Sequence, residues 1–507
     1  MGKTLAKVYS TELEGIDARL IEVEVDLNVG LHSFNIVGLA DKALNEAKER
    51  VSSAIKNTGF NPPAKENRKI TVNLAPADVK KTGAQYDLAI AIGYLVATEQ
   101  VRPFPSTDKI FVGELALNGE VRPVPGALPT ALLAKEMGMK FLFLPKENAN
   151  EASIIHGLTI FPVGNLAELV NHLGEITIIP PHLGTAFQPV EFDGADIAEV
   201  KGHEFAKRAL TVAAAGNHNI LMSGSPGSGK TMLARTLISL LPPLTLDEAI
   251  EVSRVWSSVG LLKGNYARSR PFRSPHQTAS PVAVIGGGPN PRPGEISLAH
   301  RGVLFLDELP EFRRDLLEAL RQPLESGEIV VSRARSNLTF PARFTLIAAM
   351  NPCPCGFWGD EEKECRCTAN EVFRYQKKIS GPLLDRIDIQ INVPRLKYES
   401  LERQPGDSGR LKDNIRRARA VQINRFQKAG VKKLTNSELS SKECEELIVP
   451  TREANELLKQ IFNRSMLSVR GYYRILKVAR TIADLESSDL VEAPHVAEAF
   501  QLRIREE

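Results

Sequence analysis

Residues Gly224–Thr231 read GSPGSGKT, directly after the apolar strand-like run Asn219–Met222 and directly before MLARTLISLL, whose apolar spacing predicts a helix. Strand, glycine-rich loop and helix in this order make a phosphate-binding P-loop. The outer glycines permit the tight turn, the loop N–H groups face the phosphates, and the helix N-terminus adds the positive end of its dipole. In this pattern Gly224, Ser225, Pro226, Gly227, Ser228, Gly229, Lys230 and Thr231 cradle the nucleotide, Lys230 reaches the β/γ-phosphates and the Thr231 hydroxyl holds Mg²⁺. The bland alternative is an ordinary glycine-rich turn, and the full spacing between strand and helix argues against it. Binding of a nucleoside triphosphate by a P-loop α/β core is the expectation.

Further along the chain, Gly302–Leu309 reads GVLFLDEL, a buried-strand pattern ending in two acids. At the edge of a parallel sheet this puts Asp307 beside Mg²⁺ and Glu308 beside an attacking water. A core strand running into a solvated turn would explain one acid as well, but not the pair behind a P-loop. The next apolar run, FTLIAAMNP, ends in the polar Asn351, and GPLLDRIDI places Arg386 on a short helix. Arg386 is either available to a neighbouring subunit or a partner for Asp385 or Asp388. Near the end, SVRGYYRIL opens a helix with Arg470 and, one turn on, Arg474. Two insertions interrupt the core: Phe272–His300, with Gly286-Gly287-Gly288 and a proline-rich tip, and Glu328–Phe344, two β-runs around a polar tip. Arg333 and Arg335 share one face of that hairpin, a spacing suited to successive phosphate contacts or to a plain solvated face.

A chain of 507 residues exceeds one hydrophobic core and predicts roughly three units. Hydrophobic content of 43%, charged content of 25% and a formal charge of +3 are those of an ordinary globular protein, neither disordered nor polybasic. The start, MGKTLAKVYSTELEG, has no signal-peptide pattern, and no run approaches the length of a membrane span, so the expected address is cytosolic, without membrane association. The first 173 residues alternate β-rich runs (Arg19–Leu27, Ile70–Leu74, Lys109–Glu114, Phe141–Leu144) with helical patterns (Asp41–Lys56, Tyr86–Ala97, Gly126–Met137). Pro180–Phe192 reads as a linker, a second α/β unit follows from about Asp196 to Pro394, and from about Ser408 the pattern is helical throughout.

Four of the cysteines, Cys353, Cys355, Cys365 and Cys367, form CPC and CRC. Two close pairs bridged by a short loop can offer four thiolates to one tetrahedral ion, and thiolates favour a structural Zn²⁺. Free buried thiols and redox chemistry are the alternatives. Cys444 stands alone and reads as an ordinary helix residue.

From DIAEVKGHEFAKRAL onward, the order of these parts resembles an AAA+ ATPase of the magnesium-chelatase-like, helix-2-insert branch. That resemblance implies that Asn351 is the sensor 1 residue and Arg386 an arginine finger reaching a neighbouring subunit. It makes Arg470 the sensor 2 arginine, with Arg474 competing. It also implies that Phe272–His300 is the helix-2 insert and Glu328–Phe344 a presensor-1 hairpin, both directed into a ring's pore. The first segment, through KKTGAQYDLAIAIGYL and FVGELALNGEVRPVPGALPTALLAKEMG, looks like the Lon-protease-like fold, also described as ribosomal S5 domain 2-like. The positions of the Lon nucleophile and base hold Gln85 and Pro129, so Ser–Lys peptidase chemistry is absent. The basic clusters Lys65, Arg68, Lys69 and Lys80, Lys81 permit either a DNA-contacting or a merely solvated face.

The whole layout is that of the ComM/YifB family. It implies a Lon-protease-like α+β domain at 1–173, a linker at 174–192, an AAA+ core at 193–395 and an α-helical lid at 396–507. The family resemblance implies a hexameric, ATP-driven DNA motor promoting branch migration on single-stranded and branched DNA during recombination and natural transformation. Arg333, Arg335 and a stripe of Arg416, Arg417, Arg419, Arg425 and Lys428 are the expected DNA contacts, the stripe being equally a solvated face. The rival readings are a chelatase-type AAA+ motor subunit acting on a protein partner and an ATP-dependent peptidase.

Overall fold

The computed structural model describes residues 5–38, 42–65, 67–184, 186–191, 194–262, 265–332, 337–396, 408–464 and 468–503. It forms two compact units. Met1–Gln188, Leu246–Arg268 and Asn290–Arg292 make the first; Pro189–Thr245, Ser269–Pro289 and Pro293–Glu507 make the second.

The first unit is a seven-stranded mixed sheet. Its elements are β1 (Leu5–Glu14), β2 (Asp17–Val29), β3 (Ser33–Val37), α1 (Lys42–Asn57), β4 (Arg68–Ala75), α2 (Asp87–Ala97), β5 (Lys109–Phe111), α3 (Ala127–Glu136), β6 (Phe141–Pro145), β7 (Thr159–Val163) and α4 (Leu166–Leu173). The strand order is β3-β4-β2-β1-β5-β6-β7, antiparallel around β1, β2 and β4 and parallel elsewhere. Strand β2 alternates as an antiparallel strand with one covered face should: Ile21, Val23, Val25 and Leu27 are buried, while Glu22, Glu24 and Asp26 between them are only partly covered. The expected β-runs and helices fall on β2, β4, β5, β6 and α1 to α3. Strand β1 had no clear sequence pattern because three of its buried positions, Ser10, Thr11 and Glu12, are polar. The helix Leu246–Ser258 also packs in this unit, where Gly126 and Leu128 at the start of α3 donate to the Ser257 carbonyl (2.9 Å) and hydroxyl (3.3 Å).

In the second unit α5 (Glu204–Gly216), β8 (Ile220–Ser223) and α6 (Lys230–Leu240) lead into β9 (Phe272–Arg273), β10 (Val303–Leu306), a hairpin of β11 (Glu328–Ser332) and β12 (Asn337–Pro341), then β13 (Thr345–Met350) and β14 (Ile389–Asn392). The sheet runs β9-β10-β13-β8-β14, parallel throughout. Strands β8, β10 and β13 are apolar along their length because helices cover both faces. Alternate residues feed two cores. Ile220, Met222, Phe305, Ile347 and Ile389 join α5 and α6, while Leu221, Leu304, Leu306 and Leu346 meet Leu316, Leu320 and Leu383.

The C-terminal helices α7 (Ser408–Lys428), α8 (Arg452–Arg464), α9 (Val469–Leu485) and α10 (Ala493–Gln501) contribute Ile415, Leu458, Ile475, Ile482 and Val496 to the first of those cores. The helical region and the P-loop sheet therefore share one apolar interior. Among the described residues no helix is long and apolar enough to cross a membrane.

Candidate nucleotide site and cysteine knuckle

Strand β8 lies between β13 and β14, so the loop leaving it, Gly224–Gly229, emerges at the carboxyl edge of the sheet beside the ends of both neighbours. Gly227 and Gly229 adopt φ of +79° and +85°, a left-handed conformation that a side chain would oppose. The Lys230 ammonium is buried and donates to the Gly224 and Ser225 carbonyls (2.7 and 2.9 Å) and to Asn351 Oδ1 (3.3 Å). Burial pushes it below the usual lysine range, with partial compensation from Asp307. Thr231 Oγ1 donates to Asp307 Oδ2 at 2.7 Å, joining the loop to the end of β10. Glu308 has φ of +53°, uncommon for a residue with a side chain, and its exposed carboxylate follows an N–H that donates to Asp307 Oδ1 (3.0 Å). The neighbours Lys230 and Thr231 thus reach Asn351 and Asp307, which lie far away in sequence.

The three arginines separate by partner. Arg386 is buried and ion-paired with Glu325, on the short helix Arg321–Ser326, and not with Asp385 or Asp388; its Nη1 donates to the Pro382 carbonyl at 2.8 Å. Arg470, more than half exposed, reaches the other oxygen of the same Glu325 (3.4 Å). The two charges hold that carboxyl below the usual carboxylate range, Arg386 above all. Arg474 instead pairs with buried Asp388 and donates to the Arg386 carbonyl at 3.1 Å. Burial alone would raise Asp388, but Arg474 and the hydrogen bond with His218 (3.1 Å) hold it low. His218 also meets Thr481 at 2.8 Å, which fixes the Arg386 segment to α9. Glu325 gave no sequence signal, since its role comes only from the arginines folded onto it.

The four cysteines converge. All four sulfurs lie within 4.8 Å of one another, with Cys353–Cys355, Cys353–Cys365 and Cys355–Cys365 at 3.3, 3.7 and 3.5 Å, and none is in a disulfide. A tetrahedral ion with metal–sulfur bonds of about 2.3 Å needs edges of about 3.8 Å, close to this spacing. Backbone N–H groups of Phe357 and Arg366 hold the Cys355 thiol low, while burial and the neighbouring sulfurs push Cys365 and Cys367 up. The donor set is one that can hold a metal such as zinc. Cys444 is buried alone in a helix, as expected.

Other expected residues fare differently. Arg333 and Arg335 lie outside the described residues. The α7 stripe is not a single surface: Arg419 donates to the Ala214 carbonyl (2.7 Å) and Arg425 pairs with buried Asp484, while Arg416 and Arg417 are exposed. In the first unit Gln85 donates to buried Glu12 (2.9 Å), which also accepts from Thr82 and Tyr86, and Pro129 is buried within α3. No nucleophile stands at either position. Lys81 is fully buried against the Pro76 carbonyl, so it contributes nothing to a basic surface.

Comparison with known proteins follows the same division. The family described as Magnesium chelatase, subunit ChlI, matches residues 196–401, Subunit ChlI of Mg-chelatase matches 23–148, and Magnesium chelatase, subunit ChlI C-terminal, matches 406–503. The chain is 45% identical to Competence protein ComM of Haemophilus influenzae over 99% of its own length and 97% of that protein's. It is 42% identical to YifB of Escherichia coli, again over 99% and 97%. The Magnesium-chelatase 38 kDa subunit of Cereibacter sphaeroides is 25% identical over 44% of this chain and 71% of that subunit. With the P-loop, the paired acids and Asn351 assembled on one parallel sheet, and with similarity running the full length, the chain belongs to the ComM/YifB family of magnesium-chelatase-like AAA+ ATPases.

Proposed function

We propose that the protein is an ATP-driven DNA motor, working as a hexameric ring that promotes branch migration in recombination and natural transformation. The observation that carries the ATPase part is the contact set of Lys230 with Asn351 and Thr231 with Asp307 at the mouth of the P-loop. The DNA part rests on full-length similarity to a protein named for competence.

In this reading phosphate oxygens replace the loop carbonyls as acceptors for Lys230, and Glu308 orients the attacking water. Thr231 and Asp307 would hold Mg²⁺, which when bound neutralises charge on the phosphates. Asn351 positions the water from the neighbouring strand end. Arg386 is the finger for an adjacent subunit and Arg470 the sensor 2 residue; Arg474, tied to Asp388, is the weaker claimant. Sharing Glu325 makes Arg386 and Arg470 a pair, and Arg386 Nε has no hydrogen-bond partner among the described residues, so the pair retains capacity for another acceptor. The β11–β12 hairpin is the presensor-1 hairpin, with Arg333 and Arg335 as DNA contacts, and Phe272–His300 is the helix-2 insert. The first unit is a Lon-like domain without peptidase chemistry, and Cys353, Cys355, Cys365 and Cys367 hold Zn²⁺. The site of action is the cytoplasm.

Stimulation of ATPase activity by single-stranded and branched DNA, stronger at low salt because phosphate contacts release counterions, is the expected outcome. An unchanged rate at low ionic strength, together with no movement of a four-way junction in the presence of ATP, removes the DNA-motor reading. Arg386→Ala should lower hydrolysis by about a thousandfold or more while leaving nucleotide binding intact. The chelatase-type reading draws on the descriptions of the matching families, yet the chelatase subunit aligns with less than half of this chain. Binding to a porphyrin-carrying partner would favour it.

A further inference from the structure

We propose that the four-cysteine knuckle is a metal site that positions the P-loop, with Ser225, Asp360 and Arg395 as the positioning residues that carry the coupling. The proposal rests on the reading of Gly224–Thr231 as the nucleotide site.

The knuckle grips the loop from two arms. On the first, Gly356 follows Cys355 and donates its N–H to the Cys353 carbonyl (3.0 Å) and sulfur (3.2 Å). Its backbone lies flat against the P-loop: φ is +87°, and a Cβ there would sit 2.6 Å from the Pro226 ring, so only glycine allows the approach. On the second arm, leading to Cys365, the Asp360 carboxylate accepts the N–H groups of Glu362 and Lys363 at 3.0 Å on one oxygen and the Ser225 hydroxyl on the other. Arg395 bridges the arms. It donates to the Pro226 carbonyl (3.1 Å), stands 3.6 Å from Asp360 and lies over the Phe357 ring at 5.5 Å.

Ser225 and Pro226 are therefore held from outside the phosphate cradle, by residues whose own conformation is closed by the four sulfurs. Tetrahedral thiolate coordination fixes the separation of the two arms, and with it the distance between Gly356 and Asp360. Without the ion the arms are joined by the thirteen-residue segment itself, numbered 353–365, and by the Arg395 bridge, and the wall behind the loop is held less firmly. An ordered loop binds the nucleotide without first being ordered, so metal and nucleotide occupancy are coupled and reinforce each other.

The test uses the full chain, metal analysis and titration with a fluorescent non-hydrolysable ATP analogue. Protein as purified should carry zinc in a one-to-one ratio, and chelation should weaken analogue binding about tenfold, with recovery on adding Zn²⁺ but not Mg²⁺. Asp360→Asn should keep the zinc, weaken binding and respond less to chelation than wild type, because one of the two links to the loop is already cut; Asp360→Glu should recover part of the affinity. In steady state the loss should fall on KM with kcat nearly unchanged. Undiminished affinity in folded, metal-free protein overturns the proposal, as does absence of zinc both before and after its addition. Should stripped protein unfold, zinc-loaded Asp360→Asn decides, and unchanged affinity there overturns the proposal. Failure of zinc-loaded wild type to bind the analogue at all is a different result, and it refutes the nucleotide-site reading instead.

Discussion

Lys230 and Lys81 are both buried, both hydrogen-bonded to backbone carbonyls and both pushed below the usual lysine range by burial, yet their surroundings differ. Lys230 rests on the open P-loop, where its acceptors are carbonyls of a glycine-rich turn and the side chain of Asn351, and where Thr231, Asp307 and exposed Glu308 adjoin it. Lys81 is fully enclosed beside the Glu12 cluster, whose carboxylate is already met by Thr82, Gln85 and Tyr86. Burial of a charge is common to both. What distinguishes a site is that its partners can be exchanged for a ligand's atoms, and only Lys230 meets that condition.

Substitution separates the two lysines by what each one loses. Glu308→Gln should lower ATP hydrolysis by about a hundredfold or more, as loss of a group that orients the attacking water does, while the analogue still binds. A hydrolysis rate equal to wild type would contradict its role. Lys230→Ala should weaken nucleotide binding by about a hundredfold, corresponding to roughly 3 kcal/mol for a lost charge-assisted contact. Equilibrium titration measures this, and retention of affinity would make the two lysines equivalent after all.

Glu12→Ala is the counterpart in the first unit. It leaves buried Tyr86 and half-buried Thr82 and Gln85 without their shared acceptor and should cost about 2–4 kcal/mol of stability, seen as a lower thermal midpoint, with nucleotide affinity unchanged. Loss of nucleotide binding in a folded Glu12→Ala protein would show that the enclosed cluster is not merely structural. The smallest effect concerns Glu151, beside Asn148 and Ser257, where burial raises the carboxyl from the ordinary 4.5 to about 7. The folded state then holds the extra proton between those values. The stability contribution is complete below about pH 4.5 and is lost as pH rises through 7, a change of roughly 3 kcal/mol. Glu151→Gln should flatten that slope in denaturant titrations at pH 5 and pH 8; an unchanged slope assigns the pH dependence elsewhere.

Legibility varied with the range of the interaction. The P-loop could be read directly because strand, loop and helix are contiguous and each residue type answers a local demand for turn geometry or phosphate contact. The amphipathic helices and the alternating strand β2 were equally open, while β1 was not, since buried Ser10, Thr11 and Glu12 mimic an exposed segment. Arg419 and Arg425 looked like part of a basic stripe, and folding turned them to Ala214 and Asp484.

By itself the sequence determined the glycine-rich loop between strand and helix, the apolar strands that carry it and the four-cysteine set, because these depend on residue type and short spacing. Only the tertiary structure decided that Glu325 gathers Arg386 and Arg470 while Asp388 takes Arg474, and that Asp360 and Gly356 press the cysteine knuckle onto Ser225 and Pro226. Those pairings join residues distant along the chain. Their energies depend on burial and orientation that no local pattern encodes.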